Sequence, residues 1–191
     1  MKLILASASP RRAQVLRDAG FTFQTISSAV DETPLPGEPP QELVRRLAES
    51  KAQLVTQRAV GPALIIAADT IVAVDGRVLG KPGSADEARE MLQALSGRTH
   101  SVHTGLAVIR LPDEAARLEL ETTQVTFGPL SDEDIFGYIA SGEPFDKAGA
   151  YAIQGRGGRF ITRVEGCYFN VVGLPLARLF RILKELGWRE A

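Results

Sequence analysis

LIIAADTIVAV, from Leu64 to Val74, is the stretch that decides the fold. Its β-branched residues are too dense for a helix, and the nearly unbroken apolar run reads as a central strand covered on both faces. Asp75-Gly76 then makes a hairpin turn into a short strand over residues 77–79. Upstream, residues 40–57 read as a long helix ended by Gly61-Pro62, and the Pro- and acid-rich residues 30–40 before it as a loop. Residues 2–6 read as a short buried strand and 10–19 as a helix closed by Gly20, with Ser9 at the N-cap and Pro10 first in the helix. Residues 21–26 read as another strand.

Downstream, Ser84 and Glu87 propose a capping box for a helix reaching residue 95, stopped by Ser96-Gly97. Residues 100–111 and 118–127 read as two long strands joined near Pro112, and Ser131 caps a helix running to residue 140. Residues 142–158 carry many glycines and no sustained periodicity; strands near 160–164 and 168–172 precede a last helix over 175–186. Strands and helices interleave without the regular alternation of a Rossmann domain. The expectation is one α/β domain over residues 1–191, a mixed sheet flanked by helices.

Composition limits the function. Of 191 residues, 45% are hydrophobic and 24% charged, which suits a globular enzyme. Lys+Arg 22 against Asp+Glu 23 gives a net charge of -1, so no general nucleic-acid or anionic-membrane surface is expected, although a local cationic pocket is compatible with it. The one cysteine, Cys167, excludes an intramolecular disulfide and a Cys-based zinc site, and reads as a small core residue. The apolar start MKLILASASP is shorter than a signal-peptide core, and the run to Val74 is too short to span a bilayer. A cytoplasmic, soluble protein is expected.

Three polar features sit where they cost energy. Asp69 lies inside the apolar strand, where an unpaired carboxylate costs several kcal/mol, so it must face a cleft, a cation or a partner. Lys51 falls on the helix arc filled by Leu43, Val44, Leu47, Ala48, Leu54 and Val55; it either snorkels past the core or points its ammonium into a pocket. Ser7-Ala-Ser-Pro-Arg11-Arg12 places hydroxyls and guanidiniums at a strand-to-helix turn, where free N–H groups and bidentate arginines suit a phosphate. It is not a Walker A loop. Gly80-Lys81-Pro82 and the segment from Gly142 to Gly149, with Asp146 and Lys147, fix further charges in tight loops. His100 and His103 are an odd number of positions apart on a strand and point to opposite faces. Gly155-Arg-Gly-Gly158 reads as a turn and Trp188 as a packing anchor.

Taken together, Ser-x-Ser-Pro-Arg-Arg, Asp31-Glu32, Lys51-Ala52, Ala68-Asp69-Thr70, Gly80-Lys81-Pro82, DKAGAYAIQG from Asp146 to Gly155, and Asn170-Val-Val-Gly-Leu-Pro175 closely resemble the Maf family, in the family's order and over nearly the whole chain. The resemblance implies an inosine-triphosphatase-like fold with two lobes around a central cleft, frequent homodimers, and a divalent metal, Mg2+ with Mn2+ as the alternative. It implies hydrolysis of nucleoside triphosphates between the α- and β-phosphates in a house-cleaning role. Asp69 then matches the proton acceptor; Ser7, Arg11, Arg12, Glu32, Lys51, Lys81 and Asp146 match cleft residues. Arg12, Thr70 and Gln154 match the selectivity positions of the branch acting on dTTP and UTP, rather than the branch acting on 7-methyl-GTP. Chemically, Glu32 and Asp69 could hold Mg2+ beside the phosphates, while Arg11, Arg12, Lys51 and Lys81 neutralise them. Which carboxylate binds metal and which acts as base stays open at this point. A nucleotide-sensing regulator of cell division is the alternative reading, and a phosphatase releasing inorganic phosphate a third.

Overall fold

The computed structural model describes residues 1–190. The strands are β1 Lys2–Leu5, β2 Phe23–Thr25, β3 Ala63–Val74, β4 Arg77–Leu79, β5 Thr99–Leu111, β6 Ala116–Phe127 and β7 Ile161–Glu165. They form one seven-stranded sheet in the order β2-β1-β3-β5-β6-β7, with β4 paired to β3. β1 runs parallel to β2 and β3, whereas β3–β4 and β6–β7 are antiparallel, so the sheet is mixed. The helices are α1 Pro10–Asp18, α2 Pro40–Thr56, α3 Ala85–Leu95, α4 Asp132–Ala140, α5 Tyr168–Val172 and α6 Leu176–Glu185.

Contacts gather the chain into two compact units, the first from Met1–Asp69, Thr104–Glu121 and the chain from Gly173 onward, the second from Thr70–His103 and Thr122–Val172. Each has its own core. In the first, Ala48, Ala52 and Val55 of α2 pack with Ala63, Ile65 and Ala67 of β3 and with Ala107 and Ile109 of β5. Gly105 makes this possible: a Cβ there would lie 2.1 Å from the Val44 carbonyl oxygen, so α2 rests on bare strand backbone. In the second, Leu92 and Leu95 of α3, Ile135 and Tyr138 of α4, Phe127 and Tyr151 share a core.

β3 is buried on both faces along its length, apart from a half-buried Thr70. The turn after it has positive φ at Asp75 (50°) and Gly76 (76°), which the tight hairpin requires. Several local expectations are corrected. Ser9 occupies the N-cap of α1 without a side-chain cap; Ser7 Oγ accepts the Ser9 N–H instead (3.1 Å). At α3 only half of the proposed box forms: Ser84 Oγ accepts from the Glu87 N–H, but the Glu87 carboxylate turns to the Gly83 N–H (2.7 Å). The full capping box is at α4, between Ser131 and Asp134. Residues 168–172 are α5 rather than a strand, because the buried Asn170 amide donates to the Val102 carbonyl (3.0 Å) and to Thr123 Oγ1 (2.9 Å) and anchors a helical turn. Cys167 is half-buried at the entry to that turn rather than in the core, its backbone N–H and carbonyl both bonded to Thr123 Oγ1. The glycine run forms a 3-10 turn, Arg156–Phe160, with Gly157 buried. His100 Nε2 bonds the Tyr151 hydroxyl (2.8 Å) and His103 Nδ1 the Thr122 hydroxyl (2.9 Å). Trp188 packs on Phe21, ring centres 5.2 Å apart.

Candidate active site

Strand alternation puts Ala63, Ile65, Ala67 and Asp69 on one face of β3, and the first three pack under α2. The apolar stripe of α2 meets that face, and Lys51 lies within the stripe, one turn from Ala48 and Val55. The two out-of-place charges therefore meet: Lys51 Nζ donates to Asp69 Oδ1 at 2.5 Å, both residues being buried (6% and 7% exposed). The lysine does not snorkel. Its ammonium also donates to Glu32 Oε1 at 2.6 Å, so one buried cation is shared by two carboxylates, one buried and one exposed.

The loop bearing Glu32 is held by the same helix. Arg46 pairs with Glu38 (2.6 and 2.7 Å) and donates to the Thr33 carbonyl (3.1 Å), while Glu38 accepts the Leu35 N–H (3.0 Å). The Arg46 guanidinium and that amide hold the Glu38 carboxyl down at about 2. Sequence reading missed this clamp, because Arg46 on a polar helix face looks like any solvated charge. The acid in the Pro-rich loop eight positions before it was the available signal.

At the turn after β1, Ser7 is buried; its hydroxyl accepts from the Ser9 N–H and from Arg12 Nη1 (3.3 Å). Arg12 Nε donates to the Gly173 carbonyl (2.7 Å), joining the SASPRR turn to the NVVGLP segment. Burial pulls the Arg12 guanidinium below its ordinary value; the field of Asp69 opposes this, that of Arg11 reinforces it, and that of Glu32 opposes it again. Ser7, Arg11, Arg12, Glu32, Lys51 and Asp69 thus share one electrostatic neighbourhood in the first unit.

Thr70, Lys81, Asp146 and Gln154 belong to the second unit. Lys81 and Gln154 are exposed and Thr70 half-buried. The Gly149 N–H donates to the Gly80 carbonyl (3.0 Å), tying the Gly80-Lys81-Pro82 loop to the one that carries Asp146. Asp146 is paired with the neighbouring Lys147 ammonium. No group of three or more His, Cys, Asp and Glu side chains that could hold a metal ion gathers among the described residues.

The fold defines the class of protein first. The structure resembles a HAM1 protein from Coxiella burnetii (TM-score 0.50, 17% identity, 97% of this chain and 99% of that one) and the Ham1 protein of Staphylococcus aureus (TM-score 0.50, 14% identity, 97% and 100%), a likeness of fold alone. The mixed α/β sheet flanked by helices expected from the sequence is the one observed, in a fold like that of these Ham1 proteins. A family profile described as Maf-like protein matches residues 2–186, and the chain belongs to that family. It is 50% identical to a protein of Carboxydothermus hydrogenoformans named dTTP/UTP pyrophosphatase, covering 98% of this chain and 100% of that one. A protein of Symbiobacterium thermophilum with the same name is also 50% identical, covering 98% and 95%.

Proposed function

We propose that this chain hydrolyses dTTP and UTP to the nucleoside monophosphate and pyrophosphate, in a house-cleaning role. The observation that carries the reading is the Lys51 ammonium held between Asp69 and Glu32, beside Arg11 and Arg12. A structural ion pair needs only one carboxylate, whereas this ammonium also reaches a second, exposed one. A site handling a polyanion needs both cations and a base.

In this reading Asp69 accepts the proton of a water attacking the α-phosphorus. The new P–O bond forms as the bond to the β-phosphate oxygen breaks, and pyrophosphate departs. Lys51, Arg11, Arg12 and Lys81 take up charge on the phosphates, and Ser7 holds the turn that presents the arginines. Asp146 binds substrate from its loop, and Arg12, Thr70 and Gln154 select the base. A uracil or thymine ring offers two carbonyls flanking one N–H, which suits an amide with both a donor and an acceptor.

The donor set fits a divalent cation. Glu32 and Asp69, which both reach the Lys51 ammonium, offer oxygen ligands only, and Mg2+ commonly takes one or two carboxylates, completing its shell with waters and phosphate oxygens. When bound, such an ion (Mg2+, or Mn2+) supplies charge neutralisation at the departing pyrophosphate. The reading extends to a cytoplasmic homodimer whose two units act as one domain, since the family match runs through both.

The test is a panel of dTTP, UTP, CTP, GTP and 7-methyl-GTP with Mg2+, followed by separate assays of pyrophosphate and phosphate. Pyrophosphate release, fastest from dTTP and UTP, is expected. Phosphate release, or nucleotide binding without turnover, overturns the reading in favour of a phosphatase or a sensor.

A further inference from the structure

Gln154 lies in an irregular stretch, residues 151–155, that runs into the 3-10 turn Arg156–Phe160. Its exposed apex, Gln154-Gly155-Arg156, projects between buried Ala152 and buried Gly157. Both ends are gripped, by Tyr138 from the last turn of α4 and by Glu143 from the 3-10 turn Glu143–Asp146 that follows it. The Tyr138 hydroxyl accepts the Ala152 N–H (3.2 Å) and donates to Glu143 Oε1 (2.8 Å). Glu143 Oε1 also accepts the Gly157 N–H (3.1 Å), and Oε2 accepts the Arg156 N–H (3.0 Å). The fit is close: a Cβ on Gly155 would lie 2.8 Å from Glu143 Oε2, and one on Gly157 2.6 Å from the Tyr138 hydroxyl. The same residue roots the neighbouring charged loop, since Lys147 Nζ donates to the Glu143 carbonyl (3.2 Å) while pairing with Asp146.

We propose that Glu143 is a positioning residue for base selection: with Tyr138 it clamps both ends of the turn 152–157 and so fixes where Gln154 presents its amide. This rests on the reading above in which Gln154 selects the base. The chemistry calls for a carboxylate at Glu143. Three donors converge on its two oxygens, and only an acceptor-only group satisfies all of them. Burial pushes the Glu143 carboxyl up, but the Arg156 and Gly157 amides and the Tyr138 hydroxyl outweigh it and leave it below the ordinary value, hence charged at neutral pH. A glutamine would keep one accepting oxygen and point its NH2 at an N–H.

Discrimination is measured as kcat/KM for dTTP over that for dCTP, which shares the deoxyribose, because cytosine replaces one carbonyl and the ring N–H of thymine with an amine and a bare nitrogen. Glu143→Gln, Gln154→Ala, the double variant and Tyr138→Phe are compared with the unmodified protein, with melting temperatures and amide exchange of residues 152–157 read alongside. Gln154→Ala should lower the ratio by at least about 10-fold. Glu143→Gln should lower it comparably, mainly through KM for dTTP, and its Arg156 and Gly157 amides should exchange about 10-fold faster or more. The double variant should be no worse than Gln154→Ala, because the clamp acts only through that side chain. Should Glu143→Gln fold poorly, Tyr138→Phe makes the same test, as it frees the Ala152 N–H and removes one donor to Glu143.

A Glu143→Gln protein that loses melting temperature yet keeps its ratio, while Gln154→Ala loses it, overturns the positioning role and leaves the base-selection reading standing. An unchanged ratio in Gln154→Ala overturns base selection by Gln154, and the proposal with it.

Discussion

At the scale of single residues, the site is one buried ammonium and the two carboxylates that share it. In the proposed reaction the Asp69 carboxylate takes the proton, so Asp69→Asn should fold and bind nucleotide yet lose turnover by about 10² to 10⁴. Wild-type turnover in a folded variant removes Asp69 as the base. A double-mutant cycle separates the ion pair that Lys51 makes from the substrate role proposed for it. Lys51→Met leaves the Asp69 carboxylate buried without its cation and should cost about 3–5 kcal/mol in urea unfolding at pH 7. Adding Asp69→Asn should return part of that stability without restoring activity. If Lys51→Met unfolds at the wild-type urea concentration, the pair contributes nothing and Lys51 serves substrate alone. Asp69 and Lys51 were legible in the sequence because each breaks an apolar pattern at a cost that needs a reason. Arg46 and Glu143 break no pattern. Their roles are set by backbone groups distant in sequence, which no spacing announces.

Elements position these groups through packing. The central strand and the long helix were legible as composition and period, and their boundaries fall within a residue of expectation: Ala63–Val74 and Pro40–Thr56. The helix at Tyr168–Val172 was not, because four aromatic and β-branched residues carry a strand signal that one buried asparagine overrules. Also invisible was the contact that seats α2 on the sheet, since a strand glycine such as Gly105 has many uses. A Cβ at Gly105 would sit 2.1 Å from a carbonyl oxygen and 2.4 Å from its carbon, and no rotamer relieves a clash with backbone. Gly105→Ala should therefore destabilise by about 1–3 kcal/mol or more as α2 shifts, and should lower kcat/KM because Lys51 moves with the helix. Gly137 in α4 is the control. Nothing lies within 4 Å of a Cβ there, and Gly137→Ala should stabilise by about 0.5–1 kcal/mol with activity intact. Equal melting temperatures for the two variants would show that α2 tolerates the displacement.

Across the whole molecule, no helix among the described residues is long and apolar enough to cross a membrane. What the whole chain responds to is pH, through two sets of groups with opposite charge logic. Burial alone holds His100 down at about 4 and lowers His103. His100 Nε2 is taken by the Tyr151 hydroxyl, its Nδ1 is buried with no partner, and its ring lies edge-on to Phe127, centres 5.2 Å apart. A native-state histidine below its unfolded value of about 6.5 binds its proton less readily folded than unfolded. Acidification then favours the unfolded chain: the contribution is whole above pH 6.5 and drains away as pH falls towards 4. For His100 the difference is on the order of 3 kcal/mol. The lowered carboxylates act in a more acidic window. Glu38 at about 2, and Asp134 and Glu119 below their ordinary values, contribute stability that is present above the unfolded carboxylate range and lost only as pH falls through their folded values. Between pH 7 and 5 the histidines therefore set the slope. Melting temperature should fall over that interval in the unmodified protein and fall less in His100→Gln, whatever the absolute stability of the variant. An unchanged slope in His100→Gln would move the acid sensitivity to His103 or to groups other than the buried imidazoles.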